Sequence, residues 1–166
     1  VVYRRYAHLI EEKADLPRGT TLNLKATITP SNANNPKVEW TSSNKEVATV
    51  TNKGVVKGVK KGTVTITAKA TDGSNVKATC KIRVVQRVTK IKLDKTKLTL
   101  YQGENAKLNP TITPKDASEP NLGWKAKNPK IASVDKNGRI TAKRVGTTVI
   151  TATAKDGSDV KATYNI

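Results

Sequence analysis

Phenylalanine and methionine are absent from this 166-residue sequence, and aromatic residues make up only 4% of it. A hydrophobic core without these large side chains must be built mainly from Val, Ile, Leu and Ala. Such thin cores suit sheets better than helix bundles, because β-branched side chains pack well on a pleated surface. The composition therefore predicts an all-β protein.

Cysteine is nearly absent too, since Cys80 is the single one in the chain. It cannot form an internal disulfide, so the predicted fold does not depend on an oxidising compartment. Cys80 falls at an inward-facing position of an alternating run, where the second half of the chain has Tyr164. We therefore expect a buried, inert thiol.

Long apolar runs are also missing, because no stretch approaches the roughly 18 residues that a membrane-spanning helix needs. The first residues lack the apolar centre of a signal peptide. We expect either a processed chain or a piece of a longer one, and the sequence alone assigns no compartment.

Acidic residues are scarce, with 13 Asp and Glu against 31 Lys and Arg, which gives a net charge of +18. Residues 1–85 hold 15 basic and 6 acidic side chains, and residues 86–166 hold 16 and 7, so each half carries +9. A protein that binds a polyanion usually concentrates its positive charge on one stripe. The even spread instead favours solubility and a general attraction to anionic surfaces.

The chain does contain an internal sequence repeat. The segment from Trp40 to Ser74 returns from Trp124 to Ser158 without a gap, at a spacing of 84 positions. This repeat predicts two domains, residues 1–85 and 86–166. The connection through Gln86 and Arg87 has no Gly, Pro or Ser run, which predicts a semi-rigid pair of domains.

Alternation of apolar and polar residues predicts the strands. In the first copy it favours one strand over 20–29, a third strand from Val38, a fourth over 48–50, a fifth over 55–59, and a long hairpin whose arms cover 64–70 and 76–84. Residues 1–18 fit either one helical face or two short strands, and we favour the strands. Seven or so short strands with regular turns describe a Greek-key β-sandwich of immunoglobulin type without its disulfide.

The same pattern predicts which side chains form the core and which form the turns. The predicted core residues are Trp40, Val50 and Ile66, with their counterparts Trp124, Val134 and Ile150. The predicted turn residues are Gly54, Asp72 and Gly73, with their counterparts Gly138, Asp156 and Gly157.

These residues together resemble a known family. The first copy contributes Ile28-Thr29-Pro30, Trp40, Ser43-Asn44, Val47-Ala48-Thr49-Val50, Gly54, Gly62, Ile66-Thr67-Ala68 and Asp72-Gly73-Ser74. The second contributes Ile112-Thr113-Pro114, Trp124, Asn128, Ile131-Ala132-Ser133-Val134, Gly138, Gly146, Ile150-Thr151-Ala152 and Asp156-Gly157-Ser158. Both copies resemble the bacterial immunoglobulin-like domain, group 2. The resemblance implies two tandem sandwiches and an extracellular or surface-exposed structural or adhesive role, with no catalytic residue.

Candidate chemistry is sparse in this sequence. The single histidine, His8, has no partner that would make a nucleophile and base with Cys80, and no Cys/His cluster has metal-ligand spacing. Asp156-Gly157-Ser158-Asp159 holds two carboxylates, but Ca²⁺ takes six or more oxygens and Asp-Gly is the expected hairpin turn. The sequence therefore predicts no catalytic, cofactor-binding or metal site and no enzymatic activity.

A nucleic-acid site is also disfavoured. Its best candidate is the outer face of the last hairpin of the first copy, with Lys69, Lys77, Lys81 and Arg83. No aromatic platform accompanies these charges, since the exposed candidates elsewhere are Tyr3, Tyr6 and Tyr101. We expect the partners to be anionic envelope polymers or another protein, with no specific nucleic-acid binding and no transmembrane segment in this chain. The sequence gives no oligomeric state.

Four functional hypotheses follow. The leading one is a spacer or adhesive stalk in a bacterial surface or secreted protein. The alternatives are a phage capsid or tail module that contacts the host envelope, an accessory binding module of a secreted carbohydrate-active enzyme, and a filament subunit that pairs through an exposed edge strand.

Overall fold

The computed structural model describes residues 6–29 and 37–166, and all regular secondary structure in these ranges is β-strand. The chain divides into two compact units, Val1–Gln86 and Arg87–Ile166, called unit 1 and unit 2 below. The repeat in the sequence placed the division one residue earlier. Each unit is an immunoglobulin-like β-sandwich without a disulfide, as the sequence predicted.

The described residues of unit 1 form nine strands. They are β1 (Tyr6–Leu9), β2 (Lys13–Pro17), β3 (Thr21–Asn23), β4 (Ala26–Thr29), β5 (Val38–Ser42), β6 (Ala48–Val50), β7 (Val55–Gly58), β8 (Gly62–Ala70) and β9 (Lys77–Val85). One sheet has the order β2-β9-β8-β5, a second has the order β3-β7-β6, and β1 pairs with β4. All pairings are antiparallel except that of β2 with β9.

The described residues of unit 2 form eight strands. They are β10 (Lys90–Lys92), β11 (Asn105–Lys107), β12 (Thr111–Thr113), β13 (Leu122–Ala126), β14 (Ala132–Val134), β15 (Arg139–Ala142), β16 (Val149–Ala154) and β17 (Lys161–Asn165). Shifted by 84 positions, each overlaps a strand of unit 1. The sheet orders β13-β16-β17, β11-β15-β14 and β10-β12 repeat those of unit 1. The counterpart of β2 is shorter, because only a parallel bridge between Lys97 and Asn165 remains.

The long hairpin β8–β9 is the clearest prediction that the structure confirms. Its register pairs Ile66 with Cys80 and Val64 with Ile82, and both pairs are buried. The residues between them on each strand point to the outer face, as alternation requires. Buried side chains of both main sheets meet in one cluster that includes Ile66, Val56 and Leu16.

The structure decides two predictions about the N-terminal part of unit 1. The strand alternative for residues 1–18 is confirmed over β1 and β2, so the helix alternative is wrong for the described part of that segment; residues 1–5 lie outside it. The single strand predicted over 20–29 is wrong. It is split into β3 and β4, which belong to different sheets, because Leu24 leaves the first ladder and donates its N–H to the Gly54 carbonyl at 2.9 Å.

Unit 2 has its own core. One cluster is built around Ile150, Tyr164 and Ile140, and a smaller one around Val88 and Ala154. Each cluster of buried residues therefore draws its members from a single unit.

Candidate functional site

The predicted core tryptophans lie at the edge of each core. Trp40 and Trp124 are partly buried and pack against the buried clusters of their units. Each ring covers a turn glycine. A Cβ on Gly54 would lie 2.8 Å from Cζ2 of Trp40, and a Cβ on Gly138 would lie 2.7 Å from Cζ2 of Trp124.

These two glycines also have the backbone conformation that glycine favours, with φ of +79° at Gly54 and +77° at Gly138. The carbonyl of each accepts a hydrogen bond from a leucine, Leu24 at 2.9 Å and Leu108 at 3.0 Å. The turn glycine, the tryptophan ring and the leucine N–H therefore form the same local arrangement in both copies. Its tryptophan and glycine were visible in the sequence, and its leucine was not.

The other predicted core residues divide into two groups. Ile66 and Ile150 are fully buried, with 0% of their surface exposed. Val50 and Val134 are partly buried and pack against the same clusters from the ends of the short strands β6 and β14. All of these side chains have a packing role.

The predicted Asp-Gly turns close the two long hairpins. Gly73 has φ +80° and Gly157 has φ +75°, and in each turn the aspartate Oδ1 accepts the N–H of the serine two residues on, at 3.0 Å. This is the local hydrogen bond that makes Asp favourable in tight turns. The residue after each serine, Asn75 or Asp159, also has positive φ.

Asp156 has a second partner that the sequence did not predict. Its Oδ2 accepts a hydrogen bond from the backbone N–H of Val88, and Arg87 Nη1 donates to the Gly157 carbonyl at 3.3 Å. Burial raises the pKa of Asp156, but hydrogen bonds from Ser158 and Val88 and the Arg87 charge outweigh it, so the pKa lies below its usual value. The carboxylate thus fastens the hairpin turn of unit 2 to the first residues of that unit.

We expect Asp156→Asn to destabilise unit 2 by about 1 to 2 kcal/mol at pH 7, because one of two oxygens that accept backbone N–H groups is lost. A lowered carboxyl pKa stabilises the folded state above the usual Asp pKa, and this stabilisation is lost as the pH falls through the folded-state pKa. The difference between the two proteins should therefore shrink below about pH 4. Urea unfolding measures this difference when both proteins also carry Trp40→Phe, which leaves Trp124 as the fluorescent reporter of unit 2.

Asp159→Asn is the matched control, since Asp159 is exposed and asparagine tolerates its φ of +56°. We expect a change within about 0.5 kcal/mol. Equal effects of the two substitutions, or an Asp156→Asn effect that does not depend on pH, would show that the Val88 hydrogen bond contributes nothing.

Cys80 and Tyr164 occupy equivalent positions and are both fully buried. Burial, followed by the nearby charge of Glu11, raises the pKa of the Cys80 thiol, which agrees with the expected inert cysteine. Burial and Asp94 raise the pKa of Tyr164 to about 12, and its hydroxyl donates to Asp94 Oδ1 at 3.4 Å. The larger side chain of Tyr164 packs against Trp124, with ring centroids 6.3 Å apart.

One groove in unit 2 has a volume of about 790 Å³. Its walls carry Leu98, Leu100, Ile131 and Val149, with Lys97, Lys127 and Arg144 among the charged residues. Asp, Glu, His, Cys and Ser are absent from its lining, so its ionisable side chains are Lys97, Tyr101, Lys127 and Arg144.

Two absences hold for residues 6–29 and 37–166, the part of the chain that the structure describes. Groups of three or more His, Cys, Asp or Glu side chains that could hold a metal ion do not occur among them. None of these residues forms a helix that is long and apolar enough to span a membrane.

The fold defines a pair of immunoglobulin-like modules. The family model of the bacterial Ig-like domain (group 2) matches residues 9–82 and 87–164. The chain therefore belongs to this family and contains two of its domains.

Similar proteins are much longer than this chain. An uncharacterized protein of Clostridium acetobutylicum is 36% identical over 146 residues, which is 88% of this chain and 15% of that protein. A 3-O-alpha-D-galactosyl-alpha-L-arabinofuranosidase of Bifidobacterium longum subsp. longum is 47% identical over 74 residues, which is 45% of this chain and 6% of the enzyme. Among solved structures, a C-terminal fragment of intimin in complex with the intimin-binding domain of its receptor has a TM-score of 0.49 at 18% identity, covering 96% of this chain and 62% of the fragment.

Proposed function

We propose that the chain is a non-catalytic pair of modules in a bacterial surface or secreted protein, where it serves as a spacer or an adhesive stalk. The observation that carries the proposal is that both units belong to one Ig-like family and each has its own hydrophobic core. Fold alone does not determine function. The unit 2 groove, however, contains none of the Ser, Cys, His, Asp or Glu side chains that most hydrolytic sites use, which favours a structural role.

The proposed mechanism is mechanical. Two packed sandwiches hold another part of the protein away from the envelope, and their lysine-rich surface tolerates anionic wall polymers. Nothing in the similarities to known proteins supports the alternative of a virion module. The filament alternative remains an untested prediction, and sedimentation at increasing concentration would reveal it.

An exchange experiment in the full-length protein tests the spacer role. Residues 1–166 are deleted, or replaced by two unrelated β-sandwich domains of similar length, and the activity or adhesion of the remaining protein is measured on whole cells. A spacer predicts that deletion impairs function and that the unrelated domains restore it. An adhesive stalk predicts that only the original sequence restores it. A deletion without effect would contradict both roles.

The second candidate is an accessory module of a carbohydrate-active enzyme. It is favoured by the 47% identity to a segment of the arabinofuranosidase. This candidate predicts that the isolated chain is retained on an insoluble polysaccharide at physiological salt. Elution together with an inert protein of equal charge would reject it.

A further inference from the structure

The outer surface of the sheet β2-β9-β8-β5 carries an unusual arrangement of charge. We call this surface the lysine face and define it by Lys13, Lys69, Lys77, Lys81 and Arg83, all of them exposed. The register of the sheet places Lys69 directly opposite Lys77 on the neighbouring strand, and Lys13 directly opposite Lys81. The face therefore contains two rungs at which both strands present a lysine.

Like charges at directly opposed positions of a sheet are destabilising. The fold does not require these rungs, because unit 2 makes the equivalent strand contacts without two opposed lysines. Its matching pairs are Thr153 with Lys161 and Lys97 with Asn165. The two opposed lysine pairs of unit 1 therefore lower the stability of the sheet, and the packing of the fold gives no reason for them.

The two rungs belong to one continuous surface. Two adjoining shallow depressions share Lys13 and Lys81; one also includes His8 and Lys77, and the other includes Arg83. The rungs are four residues apart along β9, which is about 13 Å for an extended strand. Threonine side chains lie on the same face between the charges, at Thr63, Thr65, Thr67 and Thr79.

Acidic side chains only partly neutralise this surface. Asp15 forms an ion pair with Arg83, and that pair lowers the pKa of the aspartate. Glu39 lies opposite Lys69 on β5, and Glu12 borders the depression that contains Lys77. The five basic side chains that define the face exceed these three carboxylates, and the sheet register places no carboxylate opposite Lys13, Lys77 or Lys81.

We propose that the lysine face binds a linear acidic polysaccharide that carries carboxylate or sulfate groups. A chain of negative charges can lie across both rungs, so that each lysine pair faces an anion and threonine hydroxyls donate to sugar oxygens. The two depressions contain no Phe, Tyr or Trp on which nucleotide bases could stack, which disfavours single-stranded nucleic acid as the partner. The inference rests on the proposed function in so far as that function places the protein outside the cell.

The test uses the intact chain and three probes: dextran sulfate, neutral dextran and single-stranded DNA. The face variant is Lys69→Thr/Lys77→Thr/Lys81→Asn, in which the first and last changes introduce the residues that unit 2 has at those positions. The control variant, Lys45→Thr/Lys53→Thr/Lys60→Thr, removes the same charge from exposed turns. Calorimetric titration at about 0.15 M salt measures the affinities, because that ionic strength screens weak, scattered attraction.

We expect the face variant to bind dextran sulfate at least about 10-fold more weakly than the unchanged protein, and the control variant to stay within about 2-fold. Neutral dextran should bind to none of the proteins. Equal losses in the two variants would overturn the proposal in favour of an even coat of charge. Binding of single-stranded DNA as tight as that of dextran sulfate, with the same dependence on the face, would overturn it in favour of nucleic acid.

Stability provides the second measurement. The substitutions remove like-charge pairs, so at low salt the melting temperature of the face variant should equal or exceed that of the unchanged protein. Any increase should vanish at high salt, because salt screens the repulsion. If the triple variant folds poorly, Lys81→Asn alone is compared with Lys53→Thr by the same criteria. Failure of this proposal leaves the exchange experiment unaffected, because a spacer needs no ligand on its face.

Discussion

Gly54→Ala is expected to destabilise unit 1 by about 2 to 5 kcal/mol. A residue with a side chain pays about 1 to 2 kcal/mol for the left-handed backbone conformation. The new Cβ would also lie 2.6 Å from the Leu24 carbonyl oxygen and 2.8 Å from the Trp40 ring, which adds about 1 to 3 kcal/mol of overpacking. Denaturant unfolding in a Trp124→Phe background, where Trp40 is the fluorescent reporter, measures the loss of unfolding free energy.

Gly73→Ala separates the two contributions. Gly73 has φ +80°, nearly the same as the +79° of Gly54, but its Cβ would meet nothing within 4 Å. We therefore expect only the conformational cost of about 1 to 2 kcal/mol. If the two substitutions destabilise equally, the contact between tryptophan and turn has no energetic role, and the repeated Trp and Gly pair must have another explanation.

Tyr164→Ala is expected to destabilise unit 2 by about 3 to 5 kcal/mol, the cost of removing a large buried ring. Tyr164 is the largest fully buried side chain, and its ring lies beside that of Trp124. Unit 1 has the small Cys80 at this position, so the ring fills space in unit 2 that other side chains must fill in unit 1. Chemical unfolding in the Trp40→Phe background, followed by Trp124 fluorescence, measures the loss of unfolding free energy.

Tyr101→Ala is the comparison, because 81% of the surface of Tyr101 is exposed. Its expected effect is within about 0.5 kcal/mol. Similar effects at both positions would contradict the assigned core.

Much of the fold could be predicted because the signal was local and repeated. The hairpin β8–β9 was predicted from two local signals: the alternation of apolar residues along both arms, and the Asp72-Gly73-Ser74 turn between them. The break at Leu24 could not be predicted. The chain changes sheets there without interrupting the alternation, so the sequence of one strand and that of two strands look the same.

The functional surfaces were harder to predict for a related reason. The sequence placed Lys69, Lys77, Lys81 and Arg83 on the outer face of the last hairpin, but the count of charges by halves of the chain made the surface look evenly charged. Only the register of β2, β8 and β9 shows that these lysines are opposed in pairs. The hydrogen bond from Val88 to Asp156 likewise joins residues 68 positions apart, a distance over which no local pattern extends.

The central claim is that the chain consists of two separately stabilised sandwiches, and each happens to contain one tryptophan. Trp124→Phe leaves Trp40 as the reporter for unit 1, and Trp40→Phe leaves Trp124 as the reporter for unit 2. Gly54→Ala is introduced into both backgrounds, and urea unfolding is followed by fluorescence. We predict that the Trp40 transition moves to lower urea while the Trp124 transition stays in place; a joint shift of both transitions would contradict the claim.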